Sequence, residues 1–337
     1  QLVFIQQRGV RFPLGPPKVM YKIAIIEKIH EDGINLLEDH PKFDYEIIED
    51  TSEQNLIEKL PKFDACTLRV SKLDEKILKH CKKIKVISRH GVGYDNVDLN
   101  YIKKKNISLL ITATANAVAV AEHVITMFLT LSKNVENYDK EVRVGNFKSN
   151  AFKIKTFELF NKNIFIAGFG RIGRKLISRC LAFDTKVYVY DPYIENKIIK
   201  EYGGIKVNTI SEGLNIADFV SIHMPLNSKT KNLIDYSVLK KMKKNVIIVN
   251  TARGGIINEN DLNKALNENL IFGAGLDVFV NEPIDLDNPL LKNKKVILSP
   301  HSATFTDECK SRMGIETIKN IIDFFENKID KSMIVKL

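Results

Sequence analysis

The chain has no apolar run long enough to cross a bilayer. Its nearest approach, residues 118–131, is broken by Glu122 and His123 and falls short of the ~18 residues a span requires. Cysteine is scarce as well: the four present (Cys66, Cys81, Cys180, Cys309) are scattered, with no Cys-x-x-Cys pair and no histidine partner at metal-site spacing. That argues against a disulfide framework and against a metal site, and it reads as small buried thiols in the reducing cytoplasm. No internal repeat and no low-complexity tract is present. Acidic residues are outnumbered, 41 Asp and Glu against 51 Lys and Arg, for a net charge of +10. The lysines nevertheless fall in short dispersed groups such as 103–105 and 240–241, without interleaved aromatics. A solvated surface is the plainer reading, and nucleic acid is not an expected partner. A positive field would still draw in small anions. Residues 1–19 lack the charged start, apolar core and cleavage site of a signal peptide. With Pro13, Gly15, Pro16 and Pro17 ahead of Met20, residues 1–20 are expected to be an extension without fixed structure, and Met20 a natural start.

A chain of 337 residues exceeds what one core supports, so two domains are expected. From residue 21 onward, β-rich runs at 22–27, 45–49, 65–70, 85–89 and 108–112 alternate with helical patterns at 33–39, 53–60, 74–81 and 99–105. This is the signature of a parallel sheet. Residues 116–134 read as one long helix, too apolar to lie free on a surface. Alternation resumes with strands at 218–224, 245–250, 273–279 and 295–298 and helices at 236–242 and 259–267, before a final helix at 306–326.

Between these halves lies Asn163-Ile-Phe-Ile-Ala-Gly168-Phe-Gly170-Arg171-Ile172-Gly173, an apolar run entering a Gly-x-Gly-x-x-Gly turn ahead of an amphipathic segment. Gly168 permits the tight turn, Gly170 lets backbone approach a pyrophosphate, and Gly173 allows close helix–strand packing. The phosphates would meet unpaired N–H groups at the helix start. A second strand, 186–190, ends in Asp191, eighteen residues beyond Gly173. An acid there accepts from ribose hydroxyls and repels a 2′-phosphate, which favours NAD over NADP. The expected architecture is α/β: a doubly wound parallel-sheet (Rossmann) NAD domain, residues 116–301, inserted in a flavodoxin-like α/β substrate domain formed by residues 21–115 and 302–330.

Three further segments stand at the ends of predicted strands, where open parallel sheets bind ligands. They are Asn250-Thr251-Ala252-Arg253-Gly-Gly, Gly275-Leu-Asp277-Val-Phe-Val-Asn-Glu282-Pro, and Ser299-Pro-His301. Hydride transfer to a 2-oxo acid calls for such a set: a guanidinium for carboxylate and ketone, an imidazole to deliver the proton, and a carboxylate to favour the charged imidazole. Taken singly, Arg253 reads as a surface ion-pair residue, Glu282 as a loop acid and His301 as a satisfied histidine. Their joint placement beside one nucleotide turn points to chemistry.

These motifs, together with Arg89-His-Gly-Val-Gly-Tyr-Asp-Asn-Val-Asp98, Ala121-Glu122-His123 and His223-Met-Pro225, resemble the D-isomer-specific 2-hydroxyacid dehydrogenase family over residues 21–330. The resemblance implies His301 as acid/base, Glu282 as its partner and Arg253 as the clamp on the substrate's carboxylate and carbonyl. Backbone N–H groups of Val92 and Gly93 would also hold the carboxylate. Gly168, Gly170, Arg171, Ile172, Gly173, Asp191, His223, Pro225, Thr230, Thr251 and Ala252 would form the cofactor site, with Asp277 on the nicotinamide amide. It further implies a homodimer, with the long helix in the interface, and a site in which Val92–Gly93 and Arg253, Glu282 and His301 face each other across a cleft.

Arg69 and Arg89 fall where phosphoglycerate dehydrogenases of this family place substrate-side arginines, which makes D-3-phosphoglycerate, a serine-biosynthesis substrate, the leading small anionic substrate. The pattern is that of short forms, since Leu337 leaves no room for a regulatory domain. Departures at Ser302-Ala-Thr-Phe-Thr306 and Val70-Ser71 keep hydroxypyruvate and glyoxylate open. Glu282 argues against formate dehydrogenase, which pairs its histidine with glutamine. An NAD-sensing binding protein like the co-repressors of this fold stays open as a minor alternative.

Overall fold

The computed structural model describes residues 21–147 and 155–337, together with the backbone of segments 4–7 and 10–13, which pair antiparallel. The extension expected over residues 1–20 otherwise lies outside the described residues. The chain divides into two compact units, Gln1–Asn116 with Asp307–Leu337, and Ala117–Thr306.

The first unit is built on five parallel strands, β1 (Tyr21–Ile26), β2 (Phe43–Ile48), β3 (Ala65–Leu68), β4 (Val86–Arg89) and β5 (Ser108–Ile111). Their order is β2-β1-β3-β4-β5, the flavodoxin-like arrangement. Ile23, Ala24, Ile25 and Ile26 are all fully buried, as a strand covered on both faces requires. The connecting helices are short: α1 (Glu31–Ile34), α2 (Glu53–Lys59), α3 (Glu75–Leu78) and α4 (Leu99–Lys104). Asp74 starts α3 by accepting from the Lys76 N–H, and Asp98 starts α4 by accepting from that of Tyr101, which satisfies donors that a helix start leaves unpaired.

In the second unit, α5 (Ala117–Lys133) buries Val124, Met127 and Phe128. The helix expected over residues 116–134 stops there because Asn134 turns left-handed, at φ 54°, and α6 (Val135–Arg143) follows. That second helix has no buried residue, although Val135, Tyr138 and Val142 recur along it at helical spacing. The sheet consists of β6 (Asn163–Ala167), β7 (Lys186–Tyr190), β8 (Ile205–Lys206), β9 (Phe219–Ile222), β10 (Ile247–Asn250), β11 (Gly273–Leu276) and β12 (Val296–Leu298). All seven are parallel in the order β8-β7-β6-β9-β10-β11-β12, the doubly wound nucleotide-binding order with one strand added. The helices between them are α7 (Arg171–Leu181), α8 (Asn196–Glu201), α9 (Ile210–Ile216), α10 (Tyr236–Leu239) and α11 (Glu259–Asn267). The sequence reading did not anticipate α8, α9 or the two-residue β8. The strand expected over 273–279 ends at Leu276; the Asp277 N–H still donates to the Asn250 carbonyl at 3.0 Å, while its side chain collects hydrogen bonds of its own.

The last helix, α12 (Asp307–Phe325), completes the first unit. The Ser88 hydroxyl donates to the Thr317 carbonyl at 2.8 Å, and the Asn320 amide to that of Ile111 at 3.1 Å, which ties the helix to β4 and β5. No described helix is long and apolar enough to cross a membrane.

Candidate active site

The glycine turn sits where β6 runs into α7. Gly168 has φ 103°, and a Cβ on it would lie 2.5 Å from the His223 carbonyl, so only glycine fits. A Cβ on Gly173 would lie 2.5 Å from the Gly168 carbonyl, so the helix packs directly on the turn. Gly170 differs: its Cβ would meet nothing within 4 Å. Open space above that Cα, and a helix start without a side-chain cap, form a cradle suited to a pyrophosphate. Arg171 and Ile172 open the helix there. Asp191, at the end of β7, accepts from the Phe169 N–H through Oδ2 at 2.8 Å and from the Tyr193 N–H through Oδ1 at 2.9 Å. Its carboxylate therefore braces the turn.

His223 follows β9. Its Nε2 lies 2.8 Å from the Ser221 hydroxyl, and burial pushes its pKa down to about 4, so the ring is neutral. His223 Nδ1 and the Thr251 hydroxyl are buried with no hydrogen-bond partner among the described residues. Such orphaned polar atoms beside the glycine cradle fit a polar ligand such as NAD. Thr230 closes the loop after Pro225, donating to the Pro225 carbonyl at 2.6 Å and accepting from the Asn227 N–H at 2.8 Å.

Arg253 follows β10. Asn250, 2% exposed, shapes its turn by accepting from the Ala252 N–H and donating to the Arg253 carbonyl at 2.8 Å. Arg253 Nη1 donates to the Ala252 carbonyl at 2.6 Å. The next residue, Gly254, touches the backbone of the Phe279–Val280 loop, since a Cβ there would fall 1.9 Å from the Phe279 carbonyl carbon. That close approach brings the arginine turn against the loop carrying Glu282. Glu282 Oε1 accepts from the Phe279 N–H at 3.0 Å, and its Oε2 lies 2.7 Å from His301 Nδ1. Burial acts to raise the Glu282 pKa. The His301 hydrogen bond, the Phe279 N–H and the charges of His301 and Arg253 outweigh it, and the net effect is a lowered value.

His301 has a left-handed backbone, φ 51°, which is costly for a residue with a side chain. The residues around it are anchored on Asp277, which is 1% exposed. Asp277 Oδ1 accepts from the Ser299 hydroxyl at 2.6 Å and the Ser302 N–H at 2.8 Å, and Oδ2 accepts from the Ala303 N–H at 3.0 Å. A contact to the nicotinamide amide would thus use the capacity that remains on Oδ2. The sequence reading assigned no role to Ser299 or Asn250. An Asn two residues before a turn N–H is a recognisable Asx signal, and Asn250 was findable by it.

In the first unit, Arg69 follows β3 and Arg89 ends β4. Arg69 Nη1 donates to the Lys28 carbonyl at 2.9 Å, and Arg89 Nη1 to the carbonyls of Leu68 at 3.1 Å and His90 at 2.9 Å. Arg89 is therefore engaged in bracing the loop that leads through Gly91 to Val92 and Gly93. Glu27 Oε2 accepts from the N–H groups of Val70 at 2.9 Å and Ser71 at 3.2 Å, and the Asn96 amide donates to the carbonyls of Arg69 and Ser71. Neither clamp was foreseen from the sequence. His90, directly after Arg89, is neutral: burial and then the Arg69 and Arg89 charges bring its pKa down to about 3. Among the described residues no cluster of three or more His, Cys, Asp or Glu is placed to hold a metal ion.

Comparison with known proteins sharpens this picture. Residues 125–303 match the family model described as D-isomer specific 2-hydroxyacid dehydrogenase, NAD binding domain. The chain is 35% identical over 307 residues to a D-3-phosphoglycerate dehydrogenase from Methanocaldococcus jannaschii, covering 90% of this chain and 58% of that protein. It is 34% identical over 328 residues to a glyoxylate reductase from Thermococcus litoralis, covering 94% of this chain and 97% of that one. Among solved structures, D-lactate dehydrogenase from Aquifex aeolicus, complexed with NAD and lactic acid, superimposes with a TM-score of 0.81 at 28% identity, covering 93% and 98% of the two chains. The chain thus spans less than two thirds of the phosphoglycerate dehydrogenase that it matches.

Proposed function

Because the chain belongs to the D-isomer-specific 2-hydroxyacid dehydrogenase family and carries its NAD-binding domain, we propose that it interconverts a D-2-hydroxy acid and its 2-oxo acid. The observation that carries this reading is the 2.7 Å pair of His301 and Glu282 on loops that pack against the Arg253 turn, in the same unit as the nucleotide cradle. The residues fit the cofactor: Gly168, Gly170 and Gly173 cradle its phosphates, Asp191 takes the ribose, and His223 and Thr251 offer unpaired polar atoms.

NADH, when bound, supplies the hydride. The protein does the rest. Arg253 presents a guanidinium that clamps the carboxylate and draws electron density from the carbonyl oxygen. His301, protonated, gives that oxygen its proton, and in oxidation it takes the proton back. Glu282 stabilises the imidazolium through Nδ1, which leaves Nε2 for the substrate.

The leading substrate is D-3-phosphoglycerate, in the first oxidation of serine synthesis. Its support is Arg69, held in a loop clamped by Glu27 and Asn96. A specific observation favours a second reading. Arg89 is occupied with backbone carbonyls, which leaves fewer N–H donors for a phosphate, and the matched glyoxylate reductase is covered almost from end to end. Glyoxylate or hydroxypyruvate would then be the substrate. A homodimer is supported by α6, which buries nothing while Val135, Val142 and, just beyond it, Val144 and Phe147 stand more than half exposed. Four free, buried cysteines agree with a cytoplasmic location.

The test is NADH consumption with phosphohydroxypyruvate, hydroxypyruvate, glyoxylate and pyruvate. Turnover of phosphohydroxypyruvate alone selects the first reading, and turnover of glyoxylate or hydroxypyruvate in its place selects the second. Silence on all four would leave an NAD-binding protein without this activity.

A further inference from the structure

His301 holds a left-handed backbone that its own side chain does not favour, so something outside residues 299–303 must impose it. The hydrogen bonds around Asp277 show what does. Asp277 is buried, and it gathers Ser299, Ser302 and Ala303, the residues on either side of Pro300-His301. A further member of the cluster comes from elsewhere in the chain: His123, on α5, places Nε2 2.9 Å from the Ser299 hydroxyl and 3.7 Å from Asp277 Oδ1.

The directions of these bonds can be assigned. A serine hydroxyl has one hydrogen, and an ionised carboxylate only accepts. At 2.6 Å from Asp277, the Ser299 hydrogen points to the carboxylate. Ser299 Oγ is then an acceptor toward His123, so His123 Nε2 carries its proton. The polarity runs from His123 Nε2–H to Ser299 Oγ–H to Asp277, which in turn receives the N–H groups of Ser302 and Ala303. A buried carboxylate persists only where its lone pairs are met by donors, and this set supplies them from both flanks of His301.

We propose that His123 and Ser299 are positioning residues of the acid/base histidine: through Asp277 they fix the His301 backbone so that its imidazole stays on Glu282 with Nε2 presented to substrate. The assignment rests on the hydride-transfer reading. It makes α5, far from His301 in sequence, part of the catalytic apparatus without touching substrate.

The experiment uses the full chain and compares His123→Leu with His123→Gln, and Ser299→Ala with Ser299→Thr. Gln retains an N–H donor near the position of Nε2, and Thr retains the hydroxyl. Two readouts are taken. By NMR hydrogen exchange, the Ser302 and Ala303 amides are expected to exchange at least about tenfold faster in the Leu and Ala variants, while amides of Val220 and Ile248 in the sheet keep their rates. In turnover, kcat for reduction is expected to fall about tenfold or more in those two variants, with NADH affinity within about twofold, and to be retained in the Gln and Thr variants. Unchanged exchange at Ser302 and Ala303 would overturn the proposal, whatever the activity. So would equal losses in the conservative and disruptive variants, which indicate packing alone. Exchange does not need a substrate, so a wild-type chain that turns over none of the 2-oxo acids would refute the hydride-transfer reading while the anchoring of His301 is still tested.

Discussion

Glu282 and His301 form a 2.7 Å hydrogen-bonded pair across two loops, and the carboxylate's other oxygen takes the Phe279 N–H at 3.0 Å. The pairing leaves one imidazole nitrogen aimed away from Glu282 and fixes which nitrogen can serve a substrate. Arg253 adds its charge nearby, enough to help lower the Glu282 pKa. A guanidinium, a carboxylate and an imidazole thus act on each other before any substrate arrives.

The first prediction concerns His301. His301→Ala is expected to lower kcat for reduction by about 10²–10⁴-fold, the usual worth of a positioned acid. NADH binding, followed by fluorescence titration, should stay within about twofold. Loss of NADH binding with turnover retained would contradict the assigned role.

The second concerns pH. In the proposed mechanism Glu282 acts ionised, so reduction should weaken on the acid side as Glu282 gains a proton. Because the Glu282 pKa is lowered, its acid limb should lie below the ordinary carboxylate range of about 4.3. Glu282→Gln removes the titrating carboxylate, so the acid limb should vanish. A profile of kcat/KM that is the same in both enzymes would rule out the coupling.

The third separates two glycines of one turn. Gly168→Ala forces a Cβ to 2.5 Å from the His223 carbonyl at a positive φ, and is expected to lower Tm by several degrees along with NADH affinity. Gly170→Ala meets nothing within 4 Å in the protein, so Tm should hold while NADH affinity drops about tenfold or more. Equal effects on Tm from the two substitutions would show that the open space at Gly170 is not reserved for a ligand.

The fourth concerns the choice of cofactor. Asp191→Ala removes the proposed ribose acceptor together with the brace on the Phe169 N–H. NADH affinity should fall about tenfold, roughly 1.4 kcal/mol, while NADPH, no longer repelled, should gain relative to it. An unchanged NADH-to-NADPH preference would place the ribose elsewhere.

The fold was largely legible, for physical reasons that differ between elements. The run entering Gly168 is readable because Gly168 and Gly173 each answer a steric demand at a fixed offset, and the strand before Asp191 pairs with it. By contrast, α6 buries none of its residues, and it was missed although Val135, Tyr138 and Val142 recur along it at helical spacing. The strand ending at Leu276 seemed longer because Val278 and Phe279 are buried too, although they lie in a loop. In the site, Arg253, Glu282 and His301 could be named from their motifs. What could not be read was the more distant bonding around them: that Arg89 is spent on carbonyls of Leu68 and His90, or that His123 reaches Ser299 across 176 positions of sequence. Those depend on tertiary geometry, which local pattern does not encode.

The most direct test of the whole account is the product of NADH-dependent reduction of phosphohydroxypyruvate, hydroxypyruvate and glyoxylate by the full chain, with chiral analysis wherever the product has a stereocentre. The account predicts stoichiometric NADH oxidation with at least one of them, with any chiral product being the D-2-hydroxy acid alone, and no turnover in His301→Ala. Formation of the L-isomer, or tight NADH binding without oxidation on any of the three, would contradict it.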